Sequence, residues 1–481
     1  MEFLNYRNLN SKGGNGMTNF LAKLNEVLGD FSSMLWGIPL IVLIVGTGIF
    51  LTLRISFLQI RLLPQALRLV FSKKHDKTAD GDISQFQALT TALAATVGTG
   101  NIVGVATAVI LGGPGAVFWM WVSAFFGMAT KYSEAILAVR YRVKDAKGQM
   151  AGGPMYYLEH GLKQKWLAVL FACFGVLASF GIGNGTQSNS VAGVVNATFS
   201  VPTWVTGLIL TAFVALVILG GIKSIGNVTA IFVPIMAVFY LAAGLIIMIM
   251  NITEIPAAFL TIIKMAFTGE AALGGAVGAA IRYGVARGVF SNEAGLGSAP
   301  IAAAAAKTDL PGRQALVSMT QVFLDTFLIC SITGITIVMS GVYTNKGLQA
   351  NELTTAAFSH FLGGWGPYVV AIGLIFFASS TILGWAYYGE KCLQYLFKGQ
   401  TAIYIYRVIF VAFVFVGSTV ALDLIWTFSD IANGLMAIPN LIGLLGLSGI
   451  VVYETKRIQN KLKEEKALVK QMDMPDSKKA S

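Results

Sequence analysis

Glycines and polar residues interrupt a long apolar segment at residues 96–101, which read Thr-Val-Gly-Thr-Gly-Asn. Glycine weakens a helix, so Gly98 and Gly100 favour a local break. Inside lipid, such a break frees backbone N–H and C=O groups, which then need a cavity, an ion or a ligand as partner. The chemistry expected at this motif is therefore the binding of a small solute and a cation.

Two other interpretations of this motif lead elsewhere. A dinucleotide-binding loop requires glycine where Val103 stands and a soluble strand before it, and the sequence has neither. A purely structural role, in which the glycines let neighbouring helices pack closely, remains an alternative. Against that alternative, Thr96, Thr99 and Asn101 are polar and would be costly to bury against lipid.

A second glycine-interrupted motif covers residues 290–298 and reads Phe-Ser-Asn-Glu-Ala-Gly-Leu-Gly-Ser. The ends of half-helices present N–H groups to carboxylates and C=O groups to cations. Two facing breaks can therefore hold the two charged ends of a zwitterion separately. The alternative, that residues 291–293 are simply the cytoplasmic end of a straight span, stays open.

Asp325 is an ionisable residue inside another apolar segment. A charged side chain at membrane depth is a functional candidate by default. Gln321 lies one helical turn earlier on the same face. A carboxylate, an amide and a hydroxyl from separate helices would supply the oxygen ligands that Na+ requires. A structural salt bridge from Asp325 to Arg282 or Arg287 is the alternative.

Two further apolar segments carry polar side chains that favour a binding site. Gln187 lies on a polar face of the segment 166–199, where it can reach a solute. The segment 368–397 contains Ser-Ser-Thr at 379–381, with Trp385 one turn later. Hydroxyls often bond to their own helix backbone, so each alone is weak evidence. Three in a row beside a tryptophan favour a site more strongly.

The composition indicates a membrane protein. Of 481 residues, 55% are hydrophobic and 12% are charged, and the mean hydropathy is +0.70. A soluble domain has about 25% charged residues. The three cysteines lie in separate apolar segments, which argues against a disulfide framework or a metal site. The three histidines fall in loops, so no histidine proton relay is indicated.

A spanning helix needs about 20 mostly apolar residues, which predicts about eleven spans. They are expected near 34–53, 86–110, 115–139, 166–199, 203–221, 226–250, 273–307, 315–342, 368–397, 402–421 and 428–453. The chain is therefore expected to be an all-α, multi-pass protein of the cell membrane, in contact with the lipid bilayer.

The net charge of +11 follows the positive-inside rule and does not indicate nucleic acid as a partner. Lys and Arg concentrate in every second loop, for example within 54–77 and 140–165, and again in the tail 456–479. Lys264 and Lys346 are exceptions. With eleven spans, this alternation predicts an amino terminus outside the cell and a cytoplasmic carboxyl terminus.

The spans after the first form two groups of five, and each group begins with one of the glycine-interrupted segments. Because five is odd, the second group crosses the membrane in the opposite sense, which is an inverted-topology repeat. Paired interruptions in corresponding positions point to a solute site near the membrane midplane. The predicted division is a tail with a short amphipathic segment (1–33), a leading helix (34–53), two repeats (86–250 and 273–453) and a charged cytoplasmic tail (454–481).

Residues 112–127, which read Gly-Gly-Pro-Gly-Ala-Val-Phe-Trp-Met-Trp-Val-Ser-Ala-Phe-Phe-Gly, closely resemble the signature of the sodium:alanine/glycine symporters. The stretches 98–101 and 293–300 resemble that family as well, and the likeness extends over 34–453. The resemblance implies Na+-coupled uptake of small neutral amino acids, mainly alanine and glycine. It also implies a leucine-transporter-type fold and no cofactor other than Na+ as the co-transported ion.

The neurotransmitter:sodium symporters, relatives with that fold, share a Gly-x-Gly-Asn break and a Phe-Thr-x-Ser-x-Gly-Phe-Gly break. Glu293 stands where these relatives have serine, which suggests an ion pair with an arginine. The resemblance implies two cation sites and one substrate site. One Na+ would bind Asn101, Ser291 and the Thr96 carbonyl, with Asp325 near the place of a ligand asparagine. A second Na+ would bind the Ala94 and Val97 carbonyls, Ser380 and Thr381. The substrate would contact the N–H groups of Gly98, Thr99 and Gly100 and the side chains of Gln187, Phe290 and Trp385.

The mechanism expected from these features is alternating access, in which one group of helices rocks against the other around the site. Proton coupling through Asp325 or Glu293 is the alternative within transporters. A channel would need a continuous polar pore or a repeated filter, and an intramembrane enzyme would need a Ser/His/Asp or Cys/His set. The sequence indicates neither of these two classes. It leaves open the preference between alanine and glycine, and the oligomeric state.

Overall fold

The computed structural model describes residues 16–71, 79–145, 147–268, 277–345, 347–420 and 423–472. Several residues used above lie outside these ranges. They are the tail before residue 16, residues 72–77 of the basic loop, residues 273–276 and 421 of two predicted spans, Lys346, and the residues after 472.

Helices form almost all of the described structure. The first part contains α1 Gly16–Leu35, α2 Ile38–Arg54, α3 Leu58–Arg61, α4 Leu63–Val70, α5 Gln85–Thr96, α6 Val105–Gly112, α7 Gly115–Arg140, α8 Pro154–Tyr156, α9 Lys165–Phe180, α10 Thr186–Phe199, α11 Thr203–Ile218 and α12 Gly221–Met250. The second part contains α13 Ile255–Phe267, α14 Val277–Asn292, α15 Pro300–Ala304, α16 Pro311–Val322, α17 Ser331–Ser340, α18 Ala350–Leu362, α19 Gly366–Leu396, α20 Gln400–Thr419, α21 Asp423–Gly446 and α22 Ser448–Met472. The strands β1 Val143–Lys144 and β2 Met150–Ala151 pair antiparallel. The π-helical turns cover Gly100–Gly104, Tyr157–Gly161, Gly181–Gly185 and Phe323–Cys330. The 3-10 turns cover Val342–Thr344 and Gly363–Trp365.

The prediction of an all-α, multi-pass membrane protein is confirmed. Within the described residues, seven helical segments are long and apolar enough to cross a bilayer, and one bent helix pair raises the number to eight. The count of eleven spans and the division into two repeats remain predictions. The amino-terminal segment forms a longer helix, α1, than the short amphipathic segment expected before residue 34.

The first glycine motif breaks its helix as expected. A capping box between Ser84 and Gln87 starts α5, and the helix ends at Thr96 because Val97 takes an extended conformation with ψ 92°. The chain resumes in the π-helical turn at Gly100 and continues into α6, bent by 52° from α5. One straight helix is therefore replaced by two half-helices with free backbone groups between them.

The second glycine motif breaks its helix too. α14 ends at Asn292, and the backbone then turns through left-handed conformations at Glu293, Gly295 and Gly297, with φ of +56°, +94° and +82°. Proline at the first position of α15 restarts the helix. Residues 291–293 are fully buried, so the alternative that they form the end of a straight span is wrong.

Arg142 ties together two segments at one end of the helix bundle. Its guanidinium donates hydrogen bonds to four backbone carbonyl oxygens at 2.7–3.0 Å. These carbonyls belong to Ala304, Ala306, Thr308 and Asp80. Backbone hydrogen bonds between residues 80–83 and 305–308 run alongside. Both half-helices on this side of the breaks, α5 and α15, are therefore joined at their outer ends.

We expect Arg142→Lys to destabilise the protein measurably. Lysine cannot reach four carbonyls from one planar group, and each hydrogen bond to a charged group contributes about 1.5–3 kcal/mol. The loss should be about 2 kcal/mol or more, measured as a lower midpoint of thermal unfolding in detergent at a fixed scan rate. Lys144→Ala is the control, because its ion pair with Asp80 is exposed. Equal midpoints for both variants would contradict the role given to Arg142.

Candidate functional site

The two helix breaks lie against each other in the core. A methyl group added to Gly100 would stand 3.0 Å from the Cα of Ser291 and 3.3 Å from the Phe290 Cδ1. Only glycine therefore permits this approach of the two backbones. The structure brings together two motifs that lie almost 200 residues apart in the sequence.

Asp325 lies beside this contact and is surrounded by neutral polar groups. Its carboxylate accepts hydrogen bonds from the Asn101 Nδ2 at 2.7 Å, from the Ser291 hydroxyl at 2.9 and 3.1 Å and from the Thr326 hydroxyl at 2.9 Å. All four residues are fully buried. Three of the predicted cation ligands, Asn101, Ser291 and Asp325, thus form one cluster.

The alternative of a salt bridge from Asp325 to an arginine is wrong. Arg287 pairs with Asp430 at 2.9 Å, and Arg282 donates to the Ser33 carbonyl at 3.1 Å. Among the described residues, Asp325 has no ion pair with a basic side chain. A buried carboxylate without a positive partner is costly, so the cluster is suited to receive a cation.

Sequence reasoning missed Cys330, whose thiol lies in the same cluster. Its Sγ is 3.3 Å from the Asn101 Nδ2 and 3.2 Å from the Ser291 Oγ. Asp325 and Cys330 are five residues apart within a π-helical turn, whose backbone hydrogen bonds join residues i and i+5. The spacing of an α-helix predicted Gln321 as the neighbour of Asp325 instead. The Gln321 Nε2 donates to the Thr96 hydroxyl at 3.1 Å.

The second predicted cation cluster also comes together. The Thr381 hydroxyl lies 3.0 Å from the Ala94 carbonyl oxygen and 3.3 Å from that of Val97. The Ser380 hydroxyl lies 3.4 Å from the same Ala94 oxygen. Both hydroxyls also donate to the Phe377 carbonyl of their own helix. The end of α5 thus directs two carbonyl oxygens at two hydroxyls of α19, and their role as cation ligands stays a prediction.

Side-chain amides occupy the N–H groups at the first break. The Gly98 N–H donates to the Asn101 Oδ1 at 2.9 Å, and the Thr99 N–H donates to the Gln187 Oε1 at 3.2 Å. Gln187 is held in turn by bonds from its Nε2 to the Thr99 hydroxyl and the Ile182 carbonyl. Two of the three N–H groups predicted to bind a carboxylate therefore already bind amide oxygens.

An aromatic and ionic layer covers Phe290. Its ring stacks on Trp426 at 5.6 Å, and the Arg287 guanidinium lies 5.4 Å from the ring centroid. Arg287 makes two hydrogen bonds to Asp430, and the Trp36 indole donates to the Asp430 carbonyl. Sequence reasoning missed Trp426 and Asp430 because nothing in the sequence places α21 over the break.

Two charged side chains of α7 satisfy the second break. The Lys131 ammonium donates to the Glu293 carbonyl at 2.9 Å, and Glu134 accepts from the N–H groups of Gly295 and Gly297, each at 3.1 Å. The two side chains lie 3.6 Å apart as an ion pair. At this break, part of the backbone that was expected to bind one end of a zwitterion is already bound by Lys131 and Glu134.

The expected ion pair between Glu293 and an arginine is wrong. Its carboxylate accepts hydrogen bonds from the Trp385 indole at 2.8 Å and from the Ser298 hydroxyl at 2.5 Å. Arg287 is instead held by Asp430. Glu293 therefore links the second break to Trp385, one of the predicted substrate residues.

Comparison with known proteins identifies relatives along nearly the whole chain. The model of the sodium:alanine symporter family matches residues 21–472. The sodium/alanine symporter AgcS of Methanococcus maripaludis is 58% identical over 453 residues, which cover 93% of this chain and 99% of that protein. A putative sodium/proton-dependent alanine carrier of Bacillus subtilis is 39% identical, over 93% of this chain and 94% of that protein.

A solved structure shares the fold. The crystal structure of MhsT in complex with L-phenylalanine superposes with a TM-score of 0.54 at 14% sequence identity. The match covers 76% of this chain and 89% of that chain. MhsT is a transporter of the leucine-transporter type, so the predicted fold type is confirmed.

We expect Glu134→Ala to destabilise the protein by about 3–5 kcal/mol, because Lys131 would become a buried charge without its partner. The two glycine N–H groups would also lose their acceptor. Adding Lys131→Met to this variant should restore part of the loss, since it removes the stranded charge. The measurement is the thermal unfolding midpoint of the purified variants. A Glu134→Ala midpoint equal to that of the parent protein would refute the role of the ion pair.

Proposed function

This chain belongs to the sodium:alanine symporter family, and we propose that it couples inward movement of Na+ to uptake of a small neutral amino acid. It is a transporter and not an enzyme, and alanine is the substrate that its family indicates. Glycine is proposed as a second substrate. The observation that carries the proposal concerns Asp325, whose fully buried carboxylate lies beside a broken helix. Among the described residues, this carboxylate has no basic partner.

The proposed first Na+ site consists of Asp325, Asn101, Ser291 and the Thr96 carbonyl. Hard cations take oxygen ligands, and carboxylates neutralise their charge. The Ser291 hydroxyl now donates to Asp325, and rotation of its hydrogen would offer a lone pair to the ion. Thr96 ends α5, where carbonyls have no partner within the helix. A cation here would remove the cost of the buried carboxylate.

The proposed second Na+ site lies between α5 and α19. The site consists of neutral oxygens: the Thr381 hydroxyl lies 3.0–3.3 Å from the Ala94 and Val97 carbonyl oxygens, and the Ser380 hydroxyl lies 3.4 Å from that of Ala94. They contain no carboxylate, so we expect a cation to bind here more weakly than at Asp325. Binding would join the half-helix α5 to α19 and thereby stabilise one arrangement of the two groups of helices.

The proposed substrate site is the exposed backbone of the first break. The substrate carboxylate would replace the amide oxygens of Asn101 and Gln187 at the N–H groups of Gly98 and Thr99, and would extend to Gly100. Such an exchange keeps every N–H bonded and adds the strength of a charged acceptor. Phe290 and Trp385 would then border the substrate side chain.

Asn101 gives a physical route for coupling between ion and substrate. Its Oδ1 accepts from the Gly98 N–H, while its Nδ2 donates to Asp325. A cation at Asp325 favours rotation of the amide, so that the oxygen faces the cation. This rotation frees the Gly98 N–H for the substrate carboxylate. By thermodynamic reciprocity, the substrate must then raise the affinity for Na+ by the same factor.

Alternating access requires the layers on the two sides of the breaks to open in turn. On one side lies the Arg287–Asp430 pair above Phe290. On the other lies Arg142 with the carbonyls that it binds. The charge distribution of the loops supports an external position for the first layer and a cytoplasmic position for the second.

We expect liposomes that contain the purified protein to accumulate labelled alanine when an inward Na+ gradient is imposed. The matched control replaces Na+ by K+ at fixed pH, and unlabelled glycine should compete for uptake. An imposed pH gradient without Na+ tests the proton-coupled alternative. If the Na+ gradient gives no more uptake than K+, Na+ coupling is wrong.

We expect Asp325→Asn to raise the Na+ concentration for half-maximal uptake roughly tenfold or more, because a lost interaction of about 1.4 kcal/mol corresponds to tenfold. Asn101→Ala should also abolish the increase in alanine affinity that Na+ produces, measured as the alanine Kd at low and high Na+. Ser340→Ala is the control, because its hydroxyl bonds to the Ile337 carbonyl and the Val342 N–H at the end of α17. Unchanged Na+ dependence in both site variants would exclude this ligand set.

A further inference from the structure

Glu293 is held in an unusual conformation by contacts on every side. Its backbone φ of +56° is left-handed, which costs roughly 1–2 kcal/mol in other residues than glycine, so the surroundings must hold it in place. Lys131 binds its carbonyl, and Ser298 and Trp385 each bind one carboxylate oxygen. The side chain is 1% exposed. Both carboxylate oxygens therefore have fixed directions.

The Trp385 indole is bonded to the second helix break through the Glu293 carboxylate. It is 1% exposed and follows Thr381 by one turn of α19. A methyl group on Gly183 would stand 2.3 Å from the Trp385 Cβ and 2.6 Å from its Cγ, so the tryptophan packs directly on this glycine. Gln187, one turn beyond Gly183, binds the N–H of Thr99. Trp385 thus lies one helical turn from Thr381 and packs one turn from Gln187, and both of those residues contact the first break.

We propose that Glu293 determines which substrate side chains are accepted, by fixing the Trp385 indole as a wall of the substrate site. This inference rests on the proposed function. A tryptophan side chain has only two rotatable bonds, but rotation about them moves a large ring. A buried indole N–H needs an acceptor, and the Glu293 carboxylate supplies one in a single direction. With the ring fixed there, small side chains fit beside the first break and larger ones collide.

The position of the carboxylate supports a role through Trp385. Its Oε1 is bonded to the indole and its Oε2 to Ser298, so each oxygen already has a donor from the protein. The Lys131 ammonium binds the Glu293 carbonyl oxygen and pairs with the Glu134 carboxylate. Glu293 is therefore a positioning residue, and its effect should be on discrimination between substrates.

The experiment compares Na+-driven uptake of labelled alanine and labelled valine by full-length variants in liposomes. In Glu293→Ala the ratio of kcat/KM for valine to that for alanine should rise about tenfold or more, because pocket discrimination of one methylene is about 10–200-fold. Glu293→Gln keeps an acceptor for the indole, so its ratio should stay within about threefold of the parent protein.

Two further variants keep the test informative if Glu293→Ala fails to fold. Trp385→Phe leaves both breaks intact and removes only the N–H donor and part of the ring, so its ratio should move in the same direction. The double variant Glu293→Ala/Trp385→Phe should have nearly the same valine-to-alanine ratio as either single variant, because the two residues act as one unit. Ser298→Ala removes the other donor to Glu293 and leaves the indole bond, so its ratio should not change.

An unchanged ratio in Glu293→Ala, with alanine uptake still measurable, would overturn the inference. An equal fall in kcat/KM for alanine and valine in a Glu293→Ala variant that keeps the parent's unfolding midpoint would also overturn it, because that result indicates direct contact between Glu293 and the common ammonium group. Failure of the proposed function is a separate result. It would appear as absent Na+-driven alanine uptake by the parent protein, whatever the variants show.

Discussion

Within a bilayer, every backbone N–H and C=O group needs a hydrogen-bond partner, because lipid offers none. This protein interrupts two helices where they meet in its core, between Thr96 and Gly100 and between Asn292 and Pro300. The side chains around the core are arranged to bind the groups that these interruptions release. Gly100 allows the two interrupted backbones to touch, so the partners of both breaks share one small volume.

The two breaks satisfy this requirement in different ways. The ion pair of Lys131 and Glu134 binds the second break, and removal of either charge would strand the other in a buried position. At the first break, the neutral amides of Asn101 and Gln187 bind the N–H groups. An amide oxygen can be exchanged for another acceptor at little cost. The second break is therefore suited to be a fixed frame, and the first to exchange ligands.

Much of the fold follows from periodicity and composition, which act locally. Apolar segments of spanning length predict helices that cross the membrane, and the glycines in 96–101 and 290–298 predict where two of them break. The structure agrees with both inferences. The packing of α13 on α7, where the Trp119 indole donates to the Ala266 carbonyl, was not predictable in this way. Such contacts depend on which distant segments meet.

The residue types of the site, including Asn101, Ser291 and Asp325, were predictable from the sequence, because polar side chains inside apolar spanning segments are costly and mark functional positions. Tertiary structure alone decided their partners. It directed Arg287 to Asp430, leaving Asp325 without a basic partner among the described residues. It also brought Cys330 to Asn101 and Ser291 of the two breaks. Hydrogen bonds act over about 3 Å, and only the packing of helices remote in sequence sets distances on that scale.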